Sequence, residues 1–241
     1  MIKMATLNLL YKTEIPINKK ISIKIPSVID VCEHEDDYYV LVHLLTAMPV
    51  DMMVELDSLG IDFTEVGDFE LFIIIFNTIR SMDTKMVFGD LDLSKFSLAV
   101  KEENGTVVLL DSENDIEIDR AIANQIASAL RKIHHIERNN RKPANKEAKD
   151  YMLQRAKEKA RRQKNRTRSS QIESLIVAMV NTEQFPYGFE EVKNLTIYQF
   201  NESVRQVIKK IDYQNKMHGI YSGTVSIKDL SQDDLNWLTH K

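Results

Sequence analysis

The sequence predicts an α+β fold that is mostly α, with a small mixed N-terminal region carrying a β-hairpin and a helical C-terminal half. Three observations predict it. KISIKIP (20–26) alternates as a strand does, and two short β-prone runs flank Asn104-Gly105 in FSLAVKEENGTVVLLD (96–111). From about Asp115 onward, apolar residues recur at three and four. With 7 Gly and 5 Pro in 241 residues, the tight turns of a β-sandwich are not provided for. The division expected is 1–114 for the mixed α/β part and 115–241 for the helical part.

In chain order, KISIKIP reads as a strand ended by Pro26. PSVIDV and YYVLVHLLTA are apolar and free of turn residues until Pro49. Either can be helix or buried strand, and the second is expected to be helix because it leads into the helical VDMMVELDSL. Asp68 is the expected N-cap of FELFIIIFNTIRSM, its carboxylate accepting from the free amides of the first turn. That helix is apolar nearly all round, which marks it as central. Asn104-Gly105 supplies the positive φ that a type I′ hairpin turn needs between the two β-prone runs.

In the second half, Ile118, Ile122, Ile126, Leu130 and Ile133 form an amphipathic stripe. NNRKP breaks that helix, and Pro143 suits the first turn of the next, the basic helix at about 143–168. Ser170-Gln-Ile-Glu173 reads as a capping box opening a helix with Ile172, Leu175, Ile176 and Met179 on its core face. Thr196-Ile-Tyr-Gln199 opens a long helix carrying Phe200, Val204, Val207, Ile208 and Ile211 on one side and stopping near Gly219 or Gly223. The tail DDLNWLT is expected to dock through Leu235 and Trp237.

Composition bounds function. Apolar residues at 43% and charged residues at 28% are those of a globular protein with a real core. A single cysteine, Cys32, excludes an internal disulfide framework and fits a reducing compartment. MIKMATLNLL is too short an apolar run for a signal peptide, and FELFIIIF falls far short of a membrane span, so a soluble protein without membrane contact is expected. The net charge of −4 is unevenly spread. Twelve Lys or Arg in 141–168 face Glu147, Asp150 and Glu158, a local +9, which leaves −13 on the remainder. Such asymmetry points to a polar partner or to another copy of the chain.

Motifs for chemistry are weak. Neither a GxGxxG nor a GxxxxGK[ST] pattern occurs. DSENDIEIDRAI (111–122) imitates a calcium loop through Asp111, Glu113 and Asp115. It has Ile116 where the turn Gly belongs and Ile122 where the bidentate Glu belongs, so a turn that caps the next helix is the better reading. Cys32, His34 and His43 lack a usual zinc spacing, and His134-His135 point about 100° apart on a helix. GIYSG lacks the order of a nucleophile elbow. No catalytic, cofactor-binding or metal-ligating residue is nominated, and no cofactor is expected.

EKARRQKNRTR (158–168) is the strongest local signal. On a helix, Arg155, Lys159, Arg162 and Arg166 share one face, which can be a solvated surface, a protein contact or a track for phosphates. The candidate contact residues are Arg155, Arg161, Arg162, Lys164, Arg166 and Arg168. Glu35, Asp36, Asp37, Glu113 and Asp115 are their candidate acidic complement.

Long stretches carry a resemblance: IKIPSVIDV, YYVLVHLLTAMPVDMMVELDSLGIDFTEVGDFELF, KIHHIERNNRKPANKEAKDYM, and the run from SSQIESLIVAMV through MHGIYSG to SQDDLNWLTHK. From about Ile23 to the C-terminus the chain resembles structural or assembly proteins of tailed bacteriophages, especially those of Gram-positive hosts. The resemblance implies a virion or morphogenesis role near the tail and baseplate, in the host cytoplasm during assembly and in the virion tail thereafter. It carries no catalytic residues across. The expected partners are other tail or baseplate proteins or copies of the chain itself. A tail-assembly chaperone that leaves the finished particle, and a nucleic-acid-binding protein using the basic helix, are the alternatives.

Overall fold

The structure is a computed structural model that describes residues 9–102, 105–164 and 170–238, with the side chains of 163 and 164 also outside the description. The fold is α+β and mostly α, built from ten helices and five short strands among those residues. Strands β1 (Glu14–Pro16) and β2 (Ser22–Lys24) pair antiparallel, Ile15 opposite Ile23, and both isoleucines are buried. The alternation of KISIKIP thus places its isoleucines in the core and its lysines outside. Lys24 closes the pair with a 2.5 Å contact to Glu14 across the strands.

Both ambiguous apolar runs are helical: α1 (Val28–Glu33) and α2 (Glu35–Thr46). Ser27 and Asp30 form a reciprocal capping box at the start of α1, which fixes helix over strand there. After α3 (Met53–Ser58) comes α4 (Asp68–Arg80), whose N-cap is Gly67 and not Asp68. Asp68 is the first helical residue, and its carboxylate is engaged by the Arg138 guanidinium instead. The anion still sits at the positive end of the helix dipole, so the residue type suits the position although the capping bond is absent.

Helix α5 (Lys85–Phe88) and a 3₁₀ turn at Leu93–Lys95 lead into a three-stranded meander of β3 (Ser97–Val100), β4 (Val107–Asp111) and β5 (Ile116–Ile118). The β3–β4 connection is longer than a two-residue turn. Lys101 N–H donates to Thr106 O, and Gly105 N–H, at φ 66°, donates to Lys101 O. Gly105 therefore supplies the left-handed residue as expected, while Asn104 lies outside the described residues. Strand β5 falls where helix was expected, because Ile118 and Ile122 share a helical spacing that hides the short alternation Ile116-Glu117-Ile118.

Helix α6 (Arg120–His134) starts at Asp119, whose side chain accepts from Ile122 N–H, and it packs against α2 and α4. Its stripe Ile126, Leu130 and Ile133 is buried, and Ile118 is buried from β5. Helix α7 (Lys146–Lys164) begins after Asn145, whose Oδ1 accepts from Ala148 N–H at 2.8 Å. Pro143 stands in the preceding loop and not in the first turn, since Asn145 offers the side-chain acceptor that Pro lacks. Helix α8 (Gln171–Val180) is capped by Ser170, which accepts from Glu173 N–H. Glu35 adds a second cap from outside, accepting from Gln171 N–H at 2.8 Å and Ile172 N–H at 3.0 Å. Burial raises the Glu35 pKa, but the Ser170 hydroxyl and these two amides outweigh it and hold the carboxyl below its usual range.

A short helix α9 (Phe189–Val192) precedes α10 (Ile197–Tyr221), which opens with the full Thr196–Gln199 capping box and also packs on α6. The start of α10 is stitched to the N-terminal half by Ile197 N–H to Pro26 O and Val28 N–H to Leu195 O. One buried cluster runs from Leu9 through β1, β2, α2, α4 and α6 to Ile172, Phe200 and Val207. A smaller one, Met48, Val50, Met52, Leu56, Phe63 and Leu71, lies around α3. The expected stripe of α10 is buried only in its first half: Ile208 is 61% exposed, so it belongs to the outer face. Among the described residues no helix is long and apolar enough to cross a membrane.

Candidate functional site

The basic helix is fixed by its inner side. Met152, Leu153, Ala156, Lys157 and Ala160 recur at three and four and are half-buried toward α3, with Met152 packed on the smaller cluster. Two ion pairs fasten the same side, Lys149 to Asp62 and Lys157 to Asp57, each at 2.6 Å. The Lys149 ammonium, with Thr64 adding two hydrogen bonds, holds the Asp62 carboxyl down at about 2. No described residue of α7 is fully buried, so these contacts set its orientation.

The outer side presents Arg155, Lys159 and Arg162, all exposed and within one stripe, with Arg161 exposed on the flank. The Arg155 guanidinium lies 5.8 Å from the centroid of the Tyr151 ring, which is itself 62% exposed. Lys164 is the last residue of α7, and its side chain lies outside the described residues, as do Arg166 and Arg168. The structure thus unites Arg155 and Arg162 of the candidate set on one held face.

The nominated acidic complement is partly consumed within the chain. Glu35 caps α8, Glu113 pairs with Lys95 at 3.0 Å, and Asp115 pairs with Lys20 at 3.1 Å. Asp111 turns inward, accepting from the Glu113 and Asn114 amides and from Asn114 Nδ2 at 2.7 Å. Its oxygens close their own turn, and Asp119 caps α6, as a capping loop requires. Among the described residues no group of three or more His, Cys, Asp or Glu is placed to hold a metal ion. Cys32 is half-buried in α1, and burial followed by the nearby Glu35 charge pushes its thiol pKa up, away from thiolate chemistry.

The two adjacent histidines have separate structural tasks. His134 Nε2 is 2.9 Å from the Tyr38 hydroxyl, in a group of tilted and edge-on ring contacts with Tyr38 and Tyr39. Burial, then the neighbouring His135, lowers the His134 pKa to about 4, so the ring is neutral and the phenol donates to its Nε2 lone pair. The spacing could have shown this, because His134 lies four residues beyond Leu130 on the buried stripe. His135 takes the left-handed conformation that ends α6, at φ 53°.

A cleft of about 1020 Å³ lies between Leu9–Tyr11, the end of α6 and the first turns of α10. It contains His135 Nε2 at 3.3 Å from Glu202 Oε1, with the Tyr198 hydroxyl donating to the same oxygen at 3.2 Å. This is an acid–base grouping in residue type, and the serine that lines the cleft beside it is engaged within its own helix. Ser203 donates its hydroxyl to Gln199 O at 2.9 Å, the ordinary back-bond of a helical serine.

A second cleft of about 710 Å³ lies under the 136–145 loop beside the start of α7. Met48, Val50, Phe63 and Val66 contribute apolar lining, and Arg141, Lys142 and Lys146 stand exposed at its rim. Charge composition had singled out the basic run, but this cleft depends on tertiary contacts between residues about ninety positions apart.

Residues 162–241 match the family model described as the YomV second domain, a phage-associated family. No curated protein and no solved structure matches the chain. The matched segment is the C-terminal third, from the end of the basic helix to the tail, and it associates the chain with bacteriophages.

Proposed function

We propose that the chain is a non-enzymatic bacteriophage tail or baseplate protein that works through protein–protein contacts, with the outer face of α7 as a contact surface. The observation that carries this reading is the two-sided build of α7. Its inner stripe and two lysines are committed to α3 and its acidic neighbours, while Arg155, Lys159 and Arg162 are exposed on the other side. A cationic surface held in one orientation favours oriented docking on an acidic partner and rejects like-charged ones. The phage-associated family at 162–241 supplies the setting.

The test is charge reversal at Arg155, Arg161 and Arg162 to Glu. These side chains are exposed, so thermal and denaturant unfolding is expected to change by no more than about 0.5 kcal/mol per site. Particle assembly in a phage carrying the triple variant is expected to drop about tenfold or more, as complementary potentials become repulsive. Normal tails at normal yield would overturn the reading.

A second reading has one observation in its favour. The exposed Tyr151 ring beside Arg155 offers a base a stacking platform next to a basic track. It predicts binding to single-stranded nucleic acid whose log affinity falls steeply with log salt, and a flat response at low salt removes it.

A further inference from the structure

Exposed apolar side chains gather at the C-terminal tail and on the three-stranded sheet. The tail is held on α10 by directed contacts. Gln206 Nε2 donates to Trp237 O at 3.0 Å, Lys210 Nζ lies 5.4 Å from the Trp237 ring centroid, and Lys216 pairs with Asp234 at 2.6 Å. It docks through Trp237, as the sequence suggests, while Leu235 remains 37% exposed and does not anchor it. The sheet differs, because its exposed apolar residues lie on a strand with an open edge.

In the order β3-β4-β5, β3 pairs with β4 on one side, and among the described residues nothing pairs with it on the other. The register from Ser97↔Leu110 to Val100↔Val107 continues into a bonded pair, Lys101 N–H to Thr106 O. Bonded and non-bonded pairs alternate along an antiparallel ladder. Ser97 and Ala99 therefore turn their backbone groups to β4, and Leu98 and Val100 turn theirs outward. Among the described residues no group bonds the outward N–H or C=O of Leu98 or Val100. The side chains of these two residues share one side of the sheet, 58% and 61% exposed.

Open edges are commonly guarded by charge, lysine above all. Here both flanking lysines are drawn back into their own sheet. Lys95 pairs with Glu113 of the β4–β5 turn at 3.0 Å, and Lys101 pairs with Glu117 of β5 at 2.8 Å. What faces outward between them is the uncharged run Ser97–Val100.

We propose that this edge pairs with the same edge of a second copy of the chain, antiparallel and centred on Ala99. Leu98 then lies opposite the partner's Val100, and each such pair exchanges both of its N–H···O bonds. Centring on Leu98 instead sets Val100 against the partner's Phe96. Phe96 N–H already donates to Leu93 O and its carbonyl accepts from Arg80, so that register leaves outward groups unmet. The two-fold axis at Ala99 runs perpendicular to the sheet, which brings the exposed apolar side chains of both copies to the same side, where they cover one another. No like charges lie directly opposite, since Lys101 faces the partner's Ser97. The second copy is favoured as occupant because its edge repeats the uncharged length, the outward pairs and the apolar side that this edge presents. The contact is isologous and closes at a dimer with one continuous sheet. It uses no residue of α7 and does not depend on the tail reading.

The test is made on the full chain by sedimentation velocity and NMR. So short an edge makes less than a standard interface, so half-dimerisation is expected on the order of 100 µM. Backbone bonds and apolar contacts carry it, so the constant is expected to change less than about twofold between low and high salt. In a mixture of labelled and unlabelled chains, Ala99 Hα is expected to show a contact to the partner's Ala99 Hα, as a non-bonded pair with Cα atoms about 4.5 Å apart requires. Val100→Pro removes a donor that β4 does not use, and Leu98→Lys places a guarding charge on the edge. Each is expected to weaken dimerisation about tenfold or more, with the circular dichroism spectrum and unfolding midpoint unchanged. Should the proline variant fail to fold, the lysine variant decides alone.

A wild type still monomeric at about 1 mM overturns the inference and leaves the edge to water or to a strand of another protein. A dimer that survives in the folded variants overturns it, and so does a dimer without the Ala99 contact. None of these outcomes bears on α7, whose role is decided by its own charge reversal.

Discussion

Phe200→Ala is expected to lower unfolding free energy by about 3–5 kcal/mol, measured by urea or thermal denaturation. Phe200 is fully buried in the first turn of α10, with its ring 6.3 Å from Phe185 in an edge contact. It enters the same buried cluster as Ile23, Leu41, Phe76 and Ile133, so its removal opens a cavity where helices from both halves of the chain meet. The backbone bonds from Ile197 to Pro26 and from Val28 to Leu195 restrict the collapse that would fill it. A loss near the upper end of that range is therefore expected. A loss below about 1 kcal/mol would mean that α10 is not anchored as described.

The second large effect is on acid stability. His134 has a pKa of about 4 in the folded chain against 6.5 for an unperturbed imidazole. Above pH 6.5 the ring is neutral in folded and unfolded chains alike and contributes no pH dependence. As pH falls through 6.5 the unfolded chain binds a proton that the folded chain refuses until about pH 4, so stability declines over that window. The slope is about 1.36 kcal/mol per pH unit. The ring keeps part of its surface accessible, so the expected loss between about pH 7.5 and 4.5 is nearer 2 kcal/mol than the full value.

His134→Gln isolates this contribution, because the amide oxygen can accept from Tyr38 and does not titrate. The variant is expected to be flatter than the wild type by that amount in denaturant titrations at each pH. Carboxylates such as Asp62 also titrate at the acid end, but they do so in both proteins. Parallel curves for the two would contradict the assignment.

Local chemistry carried most of the fold. The stripe of α6, the N-cap at Ser170, the capping box at Thr196 and the alternation of KISIKIP each report a preference that the tertiary structure reinforces. What the sequence hid was decided by partners distant in the chain. Asp68 reads as a cap, yet Arg138 engages its carboxylate from seventy residues away. Ile208 and Ile211 continue an apolar stripe, yet the core ends at Val207, leaving the stripe without a wall to face.

The candidate site was legible to the same degree. Charge count located the basic run, and helical spacing identified Arg155, Lys159 and Arg162 as one face. Its attachment through Asp57 and Asp62 could not be read, because those carboxylates come from the α3 region about ninety to a hundred residues earlier. The cleft beside the start of α7 is a product of folding in the same way.

Mass spectrometry of purified, intact phage particles tests the central claim most directly. A tail or baseplate component that works by protein contact is expected in the washed particle at a fixed copy number relative to the other tail proteins. Its absence from complete particles, together with tail-less particles when its gene is deleted, would contradict a structural role and assign the chain to assembly alone.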